Sequence, residues 1–235
     1  MSTILQVRSI LESSVTLPKE RAAAFFKTGA GQYAEEDQFI GVTVPNLRKI
    51  AKQFYSLSLP EIKEFLHSKI NEERLLALFI LVHIYQKGGT AQKEELYQFY
   101  LDNLPHINNW NLVDSSAHLI IGAHLWDKER ASLLTLAVSP LLWERRIAIV
   151  STWFFIRKGD LEWTFRLAAL LLYDKEDLIH KAVGWMLRES GKKNEAALVI
   201  FLDKYGPTMP RTMLRYSIEK FSEEKRKKYL AKRVI

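Results

Sequence analysis

Asn71-Glu-Glu-Arg-Leu-Leu-Ala-Leu-Phe-Ile-Leu-Val-His-Ile-Tyr-Gln-Lys87 is the stretch that decides the fold. Leu75, Leu76, Phe79, Val82 and His83 recur at steps of three and four, the period of one helix face. Asn71 is a cap-type residue and Gly88-Gly89 is a stop, so one long helix is predicted, capped by Asn71. The pattern then returns. Glu73-Arg74-Leu-Leu-Ala77…Lys87-Gly88 matches Glu144-Arg145-Arg-Ile-Ala148…Lys158-Gly159 at an offset of 71. Ile147-Ala148-Ile149 matches Lys181-Ala182-Val183 at an offset of 34. Such offsets fit two and one helix-pair repeats of roughly 35–45 residues. An all-α solenoid follows, in which the second helix of each pair lines one concave surface.

The punctuation elsewhere agrees. Ser58-Leu-Pro-Glu61 is a capping box. Ser139-Pro140 reads as an N-cap with proline at the first helical position, opening a helix that runs to Gly159. Asp160 caps the next helix. Asp174-Lys-Glu-Asp177 opens another, expected to end at Gly191, and Met209-Pro210 starts one more. No sustained apolar/polar alternation is bounded by hairpin turns. Phe39-Ile-Gly-Val-Thr-Val44, before Pro45, reads as an ordered loop. No linker-like stretch divides the chain, which predicts one domain over residues 1–235.

Composition narrows the function. Of 235 residues, 48% are hydrophobic and 26% charged, as in a globular protein. No cysteine is present, which excludes a disulfide scaffold, a thiolate metal site and a cysteine nucleophile. The N-terminus lacks the basic and apolar regions of a secretory signal, and no apolar run reaches about 18 residues. A soluble, cytoplasmic protein is expected. Residues 204–235 carry 10 Lys and Arg against 3 Asp and Glu, so the whole net charge of +7 falls there. A polyanion such as nucleic acid is one reading. A solvated basic face on a terminal helix, Ser222–Lys232, is the other.

Ordinary site signatures are missing: no Gly-rich phosphate loop, no GxSxG and no HExxH. His67, His83, His106, His118, His124 and His180 lack ligand spacing, and no metal is expected. Three helical segments stand out. Asn108-Asn109-Trp110-Asn-Leu-Val-Asp114-Ser-Ser116 sets Trp110 and Asp114 four apart on one helix face. Trp143-Glu-Arg-Arg146-Ile-Ala148 and His180-Lys181-Ala-Val-Gly-Trp185-Met-Leu-Arg188 join aromatics to cations. Trp126, Trp143, Trp153 and Trp163 fall in apolar stripes and read as core. Periodicity alone makes Trp110 and Trp185 core aromatics too, and Asp114 a cap or ion-pair partner.

Taken together, five segments resemble the AlkD-type DNA alkylation repair glycosylases, built from HEAT-like repeats. They are Gly31-Gln-Tyr33-Ala-Glu-Glu-Asp37-Gln-Phe-Ile-Gly41-Val-Thr-Val-Pro45-Asn-Leu-Arg48, Asn109-Trp110-Asn-Leu-Val-Asp114-Ser115, Trp143-Glu-Arg-Arg146-Ile-Ala-Ile149, His180-Lys-Ala-Val-Gly-Trp185-Met-Leu-Arg-Glu189 and Met209-Pro-Arg211-Thr-Met-Leu-Arg215-Tyr216. They span about residues 20 to 220. The polar segment Tyr33–Asp37 departs from the best-known members.

The resemblance implies a role for each residue. Asp114 stands at the catalytic carboxylate, Arg146 at the arginine beside it, and Trp110 and Trp185 at the aromatic walls. Stacked repeats are expected to bring these four together. Lys181, Arg188, Arg211 and Arg215 are expected to contact phosphates. The implied activity is a monofunctional glycosylase that removes cationic alkylpurines, 7-methylguanine and 3-methyladenine, from double-stranded DNA without base flipping. It needs no cofactor, no metal and no membrane, and a monomer is expected. Two alternatives are a non-catalytic binder of distorted or branched DNA and a scaffold for other proteins.

Overall fold

A computed structural model describes residues 3–231, and these form helices joined by loops, one of them running over residues 24–43, with no strand among them. Their contacts gather in two compact units, Met1–Ser116 and Ala117–Ile235. The first holds α1 (Thr3–Ser13), α2 (Lys19–Ala23), α3 (Val44–Ala51), α4 (Leu59–Leu66), α5 (Asn71–Lys87), α6 (Thr90–Asp102) and the start of α7 (Trp110–Ala117). A π-helical turn, His118–Gly122, follows α7 in the chain. The second unit continues with α8 (Ala131–Ala137), α9 (Leu142–Lys158), α10 (Glu162–Leu170), α11 (Asp177–Lys193), α12 (Glu195–Tyr205), α13 (Arg211–Ser217) and α14 (Glu223–Ala231). Lys232 of the expected terminal helix lies outside the described residues. No described helix is long and apolar enough to cross a membrane.

The long helices α5, α9 and α11, 17 residues each, carry the cores. In the first unit α5 packs against α3, α4 and α6. Every residue from Asn71 to Val82 is buried, so α5 is enclosed on all sides and its charged residues must be paired. In the second unit α9 packs against α8, α10, α11 and the π-helical turn. There α11 meets α12 and α13, and at the α11–α13 contact the two backbones nearly touch. A Cβ on Gly184 would lie 2.6 Å from the Met213 carbonyl oxygen and 2.5 Å from the Tyr216 Cβ, so only glycine lets these helices approach so closely.

The three 17-residue helices α5, α9 and α11 begin with the same device. Ser68 Oγ, Ser139 Oγ and Asp174 Oδ1 accept the N–H two residues ahead, at 3.0, 3.1 and 2.9 Å. The carbonyls of the same three residues accept a side chain six residues ahead, from Arg74, Arg145 and His180, at 2.9, 2.9 and 2.6 Å. Each clamp thus ties the preceding turn to the fourth residue of its helix.

This device corrects three expectations. Asn71 is the first residue of α5 and not its cap; Ile70 holds that position. Ser139 and Pro140 stand outside α9, which begins at Leu142. The starts of α9 and α11, Leu142 and Asp177, differ by 35, so the sequence match at 34 was one residue out of register. In the correct register Lys181 is the equivalent of Arg146. A fourth correction concerns Gly191. It lies inside α11 against Leu198, and the helix continues to Lys193. The capping box is present: Glu61 Oε2 accepts the Ser58 backbone N–H at 2.9 Å and its hydroxyl at 2.7 Å.

Candidate active site

The site in the first unit is built around the start of α7. Asn109 Oδ1 accepts the Trp110 N–H at 2.7 Å, which satisfies one of the orphan donors of the helix. The Asn109 amide donates to Asp37 Oδ2 at 2.7 Å. The same oxygen accepts the Asn71 amide at 2.8 Å, and Asp37 Oδ1 accepts Arg74 at 2.5 Å. Asn111 in turn donates to Asn71 Oδ1 at 2.7 Å. Asp37 therefore gathers α5 and the start of α7 into one charge-assisted network. The Asp37 and Arg74 side chains are each 5% exposed, so the pair is shielded from water.

That network fixes the helix turn that presents Trp110 and Asp114. Both are half-buried and both line a cavity of about 360 Å³. Its other walls are apolar side chains from α2, α3, α5 and the intervening loops, together with Thr43, Asn71, Glu72, Asn111 and Ser115. Phe39, Phe26 and Trp110 form a continuous aromatic stack along it, with centroids 4.6 and 5.2 Å apart and planes within about 24°.

The stretch Phe39–Val44, expected as an ordered loop, is a loop as far as Thr43, with Val44 the first residue of α3, and Glu72 holds it. Glu72 Oε1 accepts the Gly41 N–H at 2.8 Å and the Ile40 N–H at 3.1 Å. Burial pushes the Glu72 carboxyl above its ordinary value, and the Gly41 N–H partly offsets that shift. Gly41 has φ +95°, and a Cβ there would lie 1.9 Å from the Leu17 carbonyl oxygen, so the turn requires glycine.

The remaining site residues belong to the second unit. Arg146 is 5% exposed, and its Nη1 donates to the Leu178 carbonyl at 2.6 Å. Trp185 is half-buried and meets Trp153 edge to face, with centroids 4.9 Å apart. Trp153 is bracketed further by His118 at 4.4 Å and by the Arg157 guanidinium at 5.2 Å. Lys181 pairs with Asp177 at 2.8 Å. Arg188 is held by Glu189 at 3.3 Å and by Glu219. Arg211 donates to the Leu230 carbonyl at 3.0 Å. Arg215 is exposed and has no carboxylate partner among the described residues. No group of three or more candidate metal ligands exists among those residues.

The sequence matches the model of a family described as DNA alkylation repair enzyme over residues 16–221. The chain belongs to that family. The match runs through both units and takes in all eight site residues. No curated protein matches the chain significantly. Among solved structures, a predicted DNA alkylation repair enzyme from Enterococcus faecalis is similar at 15% identity. That match covers 87% of this chain and 95% of the other, with a TM-score of 0.67. AlkD2 from Streptococcus mutans is 18% identical over 94% of this chain and all of its own, with a TM-score of 0.54. At these identities the likeness is one of fold.

For a member of the DNA alkylation repair family, the unexpected features lie in the first unit. Asp37 sits in the segment that departs from the best-known members, and sequence reasoning gave it no role. Its three partners come from residues 34 to 72 positions away, a distance no local pattern reveals. Asn109 carried a signal, because asparagine directly before a helix is a capping residue. The tryptophans assigned to the core need correction. Trp143, Trp153 and Trp163 are only half-buried and Trp126 is 37% exposed, since an indole is too large for a narrow apolar stripe to cover fully.

Proposed function

We propose that the protein is a DNA glycosylase that excises cationic alkylated purines, 7-methylguanine and 3-methyladenine, from duplex DNA in base excision repair. One observation carries the reading. Trp110 and Asp114 stand one turn apart on α7 and line the same aromatic-walled cavity, which suits a carboxylate facing a planar cation.

An N3- or N7-alkylated purine already bears a positive charge, so its glycosidic bond breaks without an acid to protonate the base. The electron pair of that bond moves into the purine, and positive charge develops on the deoxyribose. Asp114 stabilises that charge and orients a water. The water oxygen bonds C1′, Asp114 takes its proton, and the proton passes to solvent. Arg146, with Trp185 on α11, serves the flanking DNA; a guanidinium offers several donors to a phosphate. Hydrolysis at Asp114 does not depend on whether the lesion leaves the base stack, although the resemblance implies that it does not.

Base release from a duplex containing 7-methylguanine, identified by mass, tests the reading. Asp114→Asn keeps size and hydrogen-bonding shape but removes the charge. It should slow release by on the order of 10²–10³. Duplex affinity should stay equal or rise, because a negative charge near phosphates is gone. Release at the wild-type rate by a folded Asp114→Asn protein refutes the role of Asp114. A wild type that releases nothing makes the protein a non-catalytic binder.

A further inference from the structure

Arg8, Arg74, Arg130, Arg145 and Arg188 are each paired with a carboxylate. Arg157, in the last turn of α9, has no carboxylate partner among the described residues. Asp160, three residues on, is held by Arg130 at 2.6 Å. The Arg157 guanidinium lies instead over two rings, Trp153 at 5.2 Å and Phe154 at 5.8 Å. The residue is nevertheless exposed. Partial burial, with no carboxylate to offset it, pushes Arg157 below the ordinary arginine range. A guanidinium stacked by its face keeps the N–H donors along its edge for an oxyanion.

Trp153 joins Arg157 to the residues already given to DNA, because its ring meets Trp185 at 4.9 Å. On α9, Arg146, Trp153 and Arg157 fall within about 20° of one line along the helix. Arg146 and Arg157 stand about 16 Å apart along that line, too far to share one phosphate. We propose that Arg157 is a second phosphate anchor, whose stacked fork grips a backbone phosphate away from the lesion and so sets the duplex against α9. It is a positioning residue and touches no reacting atom. The proposal rests on the reading that DNA lies along α9 and α11, and not on base excision. Trp153 and Phe154 orient the fork before DNA arrives, so little side-chain freedom is lost on binding. An arriving phosphate also gives the partly desolvated cation the counter-charge that the protein withholds. Lysine would bring the charge without the planar fork.

Duplex binding by the full chain tests this without any base release. The probe is an undamaged duplex in which phosphates are replaced, one at a time, by uncharged methylphosphonates. With wild type, the anchored position should cost on the order of tenfold in affinity, as for a hydrogen bond to a charged group. Arg157→Ala should bind the unmodified duplex about tenfold more weakly, and the methylphosphonate at that position should cost it nothing more. A helix that had only lost packing would bind more weakly without making one phosphate silent. Arg157→Lys should keep the wild-type salt slope, because the charge remains, yet recover only part of the affinity. Three results overturn the proposal: wild-type binding by Arg157→Ala, full affinity in Arg157→Lys, or methylphosphonates that cost wild type and Arg157→Ala the same at every position. The glycosylase reading fails separately: a protein that shows the anchored phosphate but never releases 7-methylguanine is a binder that uses the same anchor.

Discussion

Asp37 Oδ2 accepts the Asn109 amide at 2.7 Å across 72 residues of chain. Through this bond a carboxylate in the segment before α3 fixes the start of the helix that bears Trp110 and Asp114. Asp37→Asn keeps an oxygen for Asn109 but leaves Arg74 buried without its counter-charge. Removing one partner of a buried pair costs about 3–5 kcal/mol, and urea unfolding should show a loss of that order. A variant within a few tenths of a kcal/mol of wild type would mean that Arg74 finds other compensation.

Gly184→Ala should also destabilise. The new methyl must displace Met213 or part α11 from α13, and overpacking of this kind costs about 1–3 kcal/mol. Trp185 is the next residue, so its emission should shift as well. Unchanged stability would show that the two helices separate at no cost.

Salt dependence of duplex binding should distinguish two arginines. Arg215 is exposed, whereas Arg188 is already held by Glu189 and Glu219. Arg215→Ala should reduce the log–log salt slope by about 0.9, the value for one phosphate, and Arg188→Ala by less. The reverse order would mean that DNA breaks the Arg188 pairs.

His106 gives a pH signature. It stacks on His67 with centroids 3.6 Å apart. Burial pushes its imidazole below the ordinary value of 6.5, and repulsion from His67, Arg74 and Lys63 adds to the shift. The unfolded chain then takes up this proton at higher pH than the folded one, so stability falls as pH drops through 6.5. His106→Asn should lose less stability than wild type between about pH 7.5 and about pH 5.5, the interval in which histidine titrates. Parallel losses in urea midpoints would place the acid sensitivity elsewhere.

The periodicity of α5 and α9 makes the all-helical fold legible, because helices with a large buried share still carry punctuation at their ends. Gly88 and Gly159 stand at the C-caps of α5 and α9, where their sequence positions predict stops. The starts differ from expectation at Asn71 and Ser139, whose side chains turn to partners other than the first helical amide, and at Asp160, which stands one residue before Leu161, the cap of α10. At the site, Trp110 and Asp114 were visible as an i, i+4 pair, and the shared cavity agrees with that spacing. Asp37, Glu72 and the Phe26 stack were not visible. Each works through a contact distant in sequence, and none leaves a periodic trace.

The clamps at Ser68, Ser139 and Asp174 make each turn inseparable from the long helix it precedes. A duplication that copied such a turn together with its helix would have delivered an element already able to start itself. A break between the two ends of a clamp would have delivered a helix without its beginning. The smallest piece of this chain that keeps its own start is then the turn and the helix after it, and arginine in α5 and α9 and histidine in α11 close that start in the same way.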